Sequence, residues 1–348
     1  MIRFGPAGIP LSCKGRTLKD GIEDVHHLGL TALETQLVRA SVQERTAEPE
    51  EVGQTPLDLV SDMVIEIVRK KDAKEEVIYD LDTPIKAEDT LVALTSGLAV
   101  NYTELKKLKV MADELDVAMS IHTPYYMDLV SEGELSFKSM DSIRWGGIIA
   151  KALGGSMVVT HLGLYGDIDD KTAHKRIKGR ITELAAWYKK QKIKAPIGLE
   201  LSGRREIFGS LPEVVKLCKE VDGVVPVVNF AHYHAREHGK LKEPKDFDEL
   251  LDTVADFTGG EYYTHFSGVE HENGNEKRYT SIKKGDLRFE PLAEAMVDRN
   301  DPITIISGSP LLEHDAMYMK VILERVLSKR VSKEVKETNN KKEKTGSR

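Results

Sequence analysis

The sequence predicts an α/β fold: a TIM (β/α)8 barrel with a small β-rich insertion between strands 2 and 3. The first observation is rhythm. Short apolar segments alternate with longer amphipathic ones, and eight strand candidates centre near residues 3, 34, 119, 158, 197, 227, 263 and 304. The second is that these strands are almost continuously apolar, as a parallel sheet covered on both faces requires. The third is a single interruption, residues 41–101, too long for an ordinary connection. A doubly wound open sheet shares the alternation but usually begins on a glycine-rich phosphate loop. FGPAGIP lacks that glycine spacing, and the chain has no P-loop motif.

IRFG at 2–5 opens the chain, and DGIEDVHHLG at 20–29 is a helix stopped by Gly29. TALETQLVR at 31–39 is the second strand. In the interruption, ERTAEPEEVGQTP is turn-like, whereas DMVIEIVRKKD, EEVIYDLDT and DTLVALTSG read as short strands. This insertion, 41–101, is placed either to mediate contacts or to cover one end of the barrel. The helical stripe of YTELKKLKVMADELD feeds VAMSIH at 117–122. SFKSMDSIRWGGIIAKALGG leads to SMVVTH at 156–161, and DDKTAHKRIKGRITELAAWYKKQ leads to APIGLE at 195–200. Ser210 caps LPEVVKLCKEV, with Pro212 in the first turn where its missing donor costs little. VPVVNF, EYYTHF and PITIIS complete the strands, each preceded by a helical segment, and LLEHDAMYMKVILERVLSKR is the final helix. The barrel domain is expected to span 1–328.

The chain carries 50 Lys+Arg against 57 Asp+Glu, a net charge of -7. Residues 329–348 hold eight basic and three acidic residues, so this end carries +5 and the remainder -12. The end is almost without apolar residues and reads as a disordered basic tail. An acidic body has no generic attraction for nucleic acid, so any DNA contact must use a local basic rim or bound cations. The composition is that of a soluble globular protein. MIRFGPAGIP lacks the features of a signal peptide, and no apolar run reaches the length of a membrane span. Two cysteines, Cys13 and Cys218, cannot build a disulfide framework and fit a reducing, cytoplasmic setting. Neither has a convincing base partner.

Four histidines, His122, His161, His232 and His265, fall at or just past the carboxyl ends of strand candidates, and Glu200 ends another. A closed barrel gathers such positions around one mouth, where active sites form. Histidine and glutamate are ligands for zinc or a related divalent ion. Arg39, Arg204, Arg205 and Arg236 are candidates for phosphate contact. His234 and His238 follow His232, and VEHENGNEKR adds Glu270, His271, Glu272 and Glu276. Each of these loop residues also reads as ordinary solvated charge.

RFGPAGIP, TALETQLVR, SIHTPYYMDL, VVTHLG, GLELSG, NFAHYHAR, THFSGVEH and IISGSPLLEHDA resemble, in order, the motifs of the endonuclease IV family. This is AP endonuclease family 2, within the xylose-isomerase-like barrel superfamily. The resemblance runs from residue 2 to about 325 and excludes the insertion. It implies a DNA-binding repair hydrolase that cuts 5′ to abasic sites with zinc-activated water at a cluster of three zinc ions. It also implies roles for individual residues. His122 and His161 match two ligands of one zinc, and Glu200 matches the catalytic carboxylate that completes that site and bridges to the second. His265 matches a ligand of the second ion and His232 one of the third. Tyr125 matches a tyrosine near the DNA surface, and with Arg39, Arg204, Arg236 and His234 it forms the candidate substrate-binding set.

The departures from the family pattern carry as much weight. Asn229 stands where an aspartate ligand is expected, Gly308 where a glutamate is, and Tyr279 where a histidine is. Lys277 approximately takes an aspartate's place beside Glu276. Asparagine keeps a carbonyl oxygen but no charge, Gly308 offers no side chain, and a lysine repels a cation. The first site retains its His2Glu set with a fourth position open to water. The sequence therefore predicts one tight zinc site at His122, His161 and Glu200, with manganese as a substitute, and depleted neighbouring sites. Three readings of function remain: a hydrolase of abasic DNA, a non-catalytic zinc-binding barrel that binds DNA or a protein, and a sugar isomerase or epimerase. The last needs metal ligands at Glu200, Asn229, His265 and Gly308, two of which are compromised.

Overall fold

The computed structural model describes residues 1–71 and 74–345. The chain opens with β1 (Ile2–Pro6), α1 (Leu18–His27) and β2 (Ala32–Gln36). Four insertion strands follow: β3 (Ser41–Thr46), β4 (Val64–Lys71), β5 (Lys74–Ile78) and β6 (Thr90–Thr95). Alternation resumes with α2 (Tyr102–Glu114), β7 (Ala118–His122), α3 (Glu134–Leu153), β8 (Val158–Thr160), α4 (Asp170–Lys190), β9 (Ile197–Glu200), α5 (Leu211–Glu220) and β10 (Val224–Asn229). Then come α6 (Phe230–Arg236), α7 (Pro244–Thr258), β11 (Tyr262–Phe266) and a hairpin of β12 (Gly268–Glu272) and β13 (Asn275–Thr280). The chain ends with α8 (Glu290–Arg299), β14 (Ile303–Ser307) and α9 (Glu313–Thr345).

Eight parallel strands pair in the order β1-β14-β11-β10-β9-β8-β7-β2, and these are the eight that the sequence predicts. The ring closes between β1 and β2. Thr31 N–H donates to the Phe4 carbonyl at 3.0 Å, and Ala7 bridges to Glu34 in parallel register. Strand alternation then sorts the residues by face. Ala32, Met157, Val159, Val227, Tyr263 and Ile306 form an apolar plug inside the barrel. Two residues further along the same strands are Glu34, His161, Asn229, His265 and Gly308. The mouth thus has a polar layer resting on an apolar floor.

Local chemistry places the helices. The Ser210–Glu213 capping box starts α5 with Pro212 in its first turn, as predicted. Thr17 with Asp20 caps α1, and Asp169 accepts from Thr172 N–H at the start of α4. Buried Glu313, at the start of α9, accepts from the Leu11 and Ser12 amides at 2.9 and 3.0 Å, tying the loop after β1 to the mouth.

The insertion is a four-stranded antiparallel sheet, order β3-β6-β4-β5. Its edge strand β3 was not expected, because SVQERT is polar and largely exposed and has no apolar alternation to read. One face makes a core of its own from Leu59, Val64, Ile67, Ile85, Leu91 and Ala93. Met63, Ile65, Val92 and Leu94 join the main core instead. Tyr102 of α2 donates to the Val64 carbonyl at 3.1 Å, and the rings of Tyr79 and Trp187 meet edge to face at 5.5 Å. The insertion therefore docks on the barrel's outer helices. Burial, reinforced by the Asp141 carboxylate, pushes the Glu66 carboxyl on β4 up to about 7 from 4.5. A folded-state value above the unfolded one gives stability that is complete below about 4.5 and lost as pH rises through about 7. Glu66→Gln is expected to lack this loss, so its melting temperature relative to the parent should climb between those limits. Parallel curves for the two proteins would remove Glu66 as the cause.

Helix α9 continues to Thr345, where a disordered basic tail was expected from residue 329; residues 346–348 lie outside the described residues. Extending a packed helix adds one hydrogen bond per residue fixed and needs no new nucleus, so a segment without an apolar stripe can still continue it. No helix among the described residues is long and apolar enough to cross a membrane.

Candidate metal centre

A cavity of about 290 Å³ opens at the carboxyl ends of the barrel strands. Glu34, Gln36, His122, Tyr125, His161, Glu200, Asn229, His265, Tyr279 and Gly308 line it. No described residue of the insertion does.

Glu200 is the hub. Its Oε2 lies 3.0 Å from His122 Nε2 and 3.2 Å from His161 Nδ1. Its Oε1 lies 3.4 Å from His265 Nδ1 and 3.7 Å from His232 Nε2. Burial alone would raise the Glu200 carboxyl, but the imidazoles of His161 and His265 and the His122 hydrogen bond outweigh it and hold it well below the usual carboxylate range. Burial takes His161 down to about 4, which leaves a neutral ring with lone-pair capacity. Burial opposes a charge on His122 too, yet Glu34 and Glu200 carry it up to about 9. One positive charge is therefore favoured at this point of the mouth, as a proton or as a cation that displaces it.

The donor set fits a cation. His122 Nδ1 is 2.7 Å from the Thr123 carbonyl, so in the neutral ring Nδ1–H donates there and the Nε2 lone pair faces Glu200. His265 has the same arrangement: Nε2 lies 2.7 Å from Glu34 Oε2, while buried Nδ1, turned to Glu200, has no hydrogen-bond partner among the described residues. This is the carboxylate–histidine pairing that orients metal ligands.

Glu34 was missed in the sequence. It is fully buried, and its oxygens accept from Gln36 Nε2 at 2.8 Å and Tyr263 OH at 3.0 Å as well as facing His265. A carboxylate in the buried strand ALETQ was the available signal, since an acid is almost never fully buried without partners. Two overlapping groups, Glu34–His122–His265 and His122–His161–Glu200, each bring their ligand atoms within 4.8 Å of one another. Glu34 is surrounded by N–H and O–H donors, so the second group has more lone pairs to give.

A third group, His234, His271 and Asp286, meets the same distance limit away from the cavity lining. Here Leu241 N–H donates to His234 Nδ1 at 3.1 Å, which puts the neutral ring's proton on Nε2, facing Asp286 Oδ1 at 3.2 Å. That nitrogen carries the neutral ring's proton and, although near Asp286, has no hydrogen-bond partner among the described residues, so it is not a ready ligand. His234 thus sits apart from the mouth where the sequence placed it among substrate contacts.

The remaining sequence candidates divide. Tyr125 lines the cavity with its ring 78% exposed, 5.3 Å edge-on to Tyr126. The Arg236 guanidinium donates to the carbonyls of Ser202, Arg204 and Ile207, so it fixes a loop. Arg39 is exposed and does not line the cavity, and the Arg204 charge acts on Glu276. His232 sits beside the lining: Nε2 is 2.6 Å from Tyr279 OH, and Nδ1 is 2.6 Å from Glu276 Oε2. Asn229, expected as a weak ligand, turns its N–H2 to Glu200 Oε1 at 2.8 Å. Tyr279 and Glu276 arrive on a hairpin read from the sequence only as charged loop. Asn273 and Gly274, both at positive φ, make its turn, and the Asn-Gly pair between VEHE and NEKRYT was the missed signal. Cys13 and Cys218 are free and buried away from the site, and burial pushes the Cys218 thiol up to about 12.

Residues 89–312 match the family described as xylose isomerase-like TIM barrel, and this span is most of the chain. The chain belongs to the xylose isomerase-like TIM barrel family. An uncharacterized protein of Methanocaldococcus jannaschii is 28% identical over 257 residues, covering 68% of this chain and 92% of that protein. Among solved structures, endonuclease IV from Thermus thermophilus aligns over 92% of this chain and 98% of its own, with TM-score 0.60 and 17% identity. An L-ribulose 3-epimerase aligns over 95% and 97%, with TM-score 0.55 and 12% identity. At these identities the likeness is one of fold. Both kinds of enzyme share the xylose isomerase-like barrel, so chemistry has to be argued from the mouth.

Proposed function

We propose that this protein is a metal-dependent phosphodiester hydrolase that cuts DNA 5′ to abasic sites, with zinc, or manganese in its place, at His122, His161 and Glu200. The observation that carries the reading is the convergence of two imidazole lone pairs and one ionised carboxylate oxygen at an open barrel mouth. A divalent cation held there supplies Lewis-acid polarisation of a phosphoryl oxygen and a more acidic water. The protein's own residues supply the rest. The Thr123 carbonyl fixes the His122 tautomer, and Glu200 contributes the anionic charge. The exposed Tyr125 ring is a stacking surface beside the cavity. Epimerase chemistry is less well supported, since Asn229 brings no charge and Gly308 no side chain to the four-ligand set it needs.

A non-catalytic barrel that binds DNA or a protein partner is the second reading, favoured by the loss of anionic ligands at Asn229 and Gly308. The two separate on one assay: purified full-length protein with zinc or manganese on a 5′-labelled abasic duplex across a salt series. Hydrolysis predicts a single cut 5′ to the abasic residue, with binding that weakens steeply as salt rises. An intact strand with both metals would sink the hydrolase reading.

A further inference from the structure

The two oxygens of Glu200 have chemically opposite neighbours. Oε2 faces two imidazole nitrogens, His122 Nε2 and His161 Nδ1, which offer lone pairs to a cation once it displaces any proton between them. Oε1 faces a donor, accepting from Asn229 Nδ2 at 2.8 Å. The orientation of that amide follows from its other contacts. Asn229 Oδ1 accepts from His232 N–H at 3.2 Å as the cap of α6, and the second N–H donates to Tyr279 OH at 2.7 Å. Reversing the amide would oppose oxygen to oxygen at Glu200 and nitrogen donor to nitrogen donor at α6.

Tyr279 continues the network. Its hydroxyl lies 2.6 Å from His232 Nε2, and His232 Nδ1 lies 2.6 Å from Glu276 Oε2. Its ring stands over Gly308, where an added Cβ would come within 3.3 Å of Tyr279 Cε2. A side chain at 308 would therefore press on the ring at 279, which would have to yield by a few tenths of an ångström.

We infer that Asn229, Tyr279 and Gly308 act as one unit, making the Oε1 side of Glu200 a hydrogen-bonded wall and holding the mouth to a single cation on the Oε2 side. The inference rests on the metal-dependent reading above. A cation beside Oε1 would meet the hydrogens of the Asn229 amide. The Tyr279 phenol already holds His232 Nε2. Glu200 Oε1 and His265 Nδ1 are left, fewer lone-pair groups than the three or four of a zinc site. The same tie leaves Glu200 one free oxygen, so it cannot bridge.

The test uses the full chain stripped with chelator and titrated with zinc alone. Ions are counted by native mass spectrometry and located by anomalous scattering. One ion is expected in the mouth of the unmodified protein, and at least two after Asn229→Asp, Tyr279→His and Gly308→Glu together. If that variant is folded and still takes one, the inference is overturned. Two ions in the mouth of the unmodified protein overturn it too, while the metal-dependent reading survives. No ion at saturating zinc overturns both.

Discussion

Gly5→Ala is expected to cost the barrel more than about 3 kcal/mol, a large part of the roughly 5–15 kcal/mol that a domain possesses. Gly5 lies on β1 where the ring closes against β2. A Cβ there would sit 1.8 Å from the Ala32 carbonyl oxygen and 2.4 Å from its carbon. Both obstacles are backbone, so no rotamer change can relieve them. The strands would have to part, and with them the Thr31–Phe4 hydrogen bond and the Ala7–Glu34 bridge that complete the ring. Glu34 and Ala32 also belong to the polar layer and its floor, so damage at the seam reaches the mouth. Gly179→Ala is the matched control. That glycine lies inside α4 with nothing within 4 Å of an added Cβ, and alanine there should gain about 0.5–1 kcal/mol. Denaturant unfolding of both variants measures the contrast. A Gly5→Ala protein within about 1 kcal/mol of the parent would mean that the seam is not the tight contact described.

The barrel was legible because its signal is collective. Eight apolar runs at regular intervals survive the ambiguity of any one of them, and alternation with amphipathic helices leaves few topologies. His122, His161, Glu200 and His265 were legible for a related reason: polar residues at the ends of apolar strands have one common destination in a closed barrel. Glu34 failed because its meaning depends on Tyr263 and His265, 229 and 231 residues away in the chain. A single acid in ALETQ does not announce them. Tyr279 failed for a different reason. The substitution was visible, but the volume it occupies is defined by the absent side chain at 308 and by the hairpin that delivers it. Arg236 shows the converse limit: a cation in a loop near the mouth looks like a phosphate contact until its three carbonyl partners are seen.

Glu200→Gln is expected to remove most zinc binding and, with it, any abasic-strand cleavage, while leaving the fold in place. The Asn229 N–H2 at 2.8 Å from Oε1 dictates how the new amide sits. Its oxygen must face Asn229, so its N–H2 replaces Oε2 before His122 Nε2 and His161 Nδ1. Both are acceptors in their neutral rings, so the amide satisfies them and the layer stays hydrogen-bonded without a buried charge. The position of the cation, however, is now faced by two hydrogens in place of an anionic oxygen. Loss of the charged partner for a buried cation corresponds to about 3–5 kcal/mol, or roughly two to three and a half orders of magnitude in affinity. His161→Ala differs in a useful way: it deletes a ligand but keeps the carboxylate, so it should weaken zinc less than Glu200→Gln does. Zinc content after gel filtration, thermal unfolding in chelator, and cleavage of the labelled duplex are the three readouts. Full zinc retention by a folded Glu200→Gln protein would remove the site. Unchanged cleavage with zinc lost would mean that the chemistry, if it is hydrolysis, is carried by other residues of the mouth.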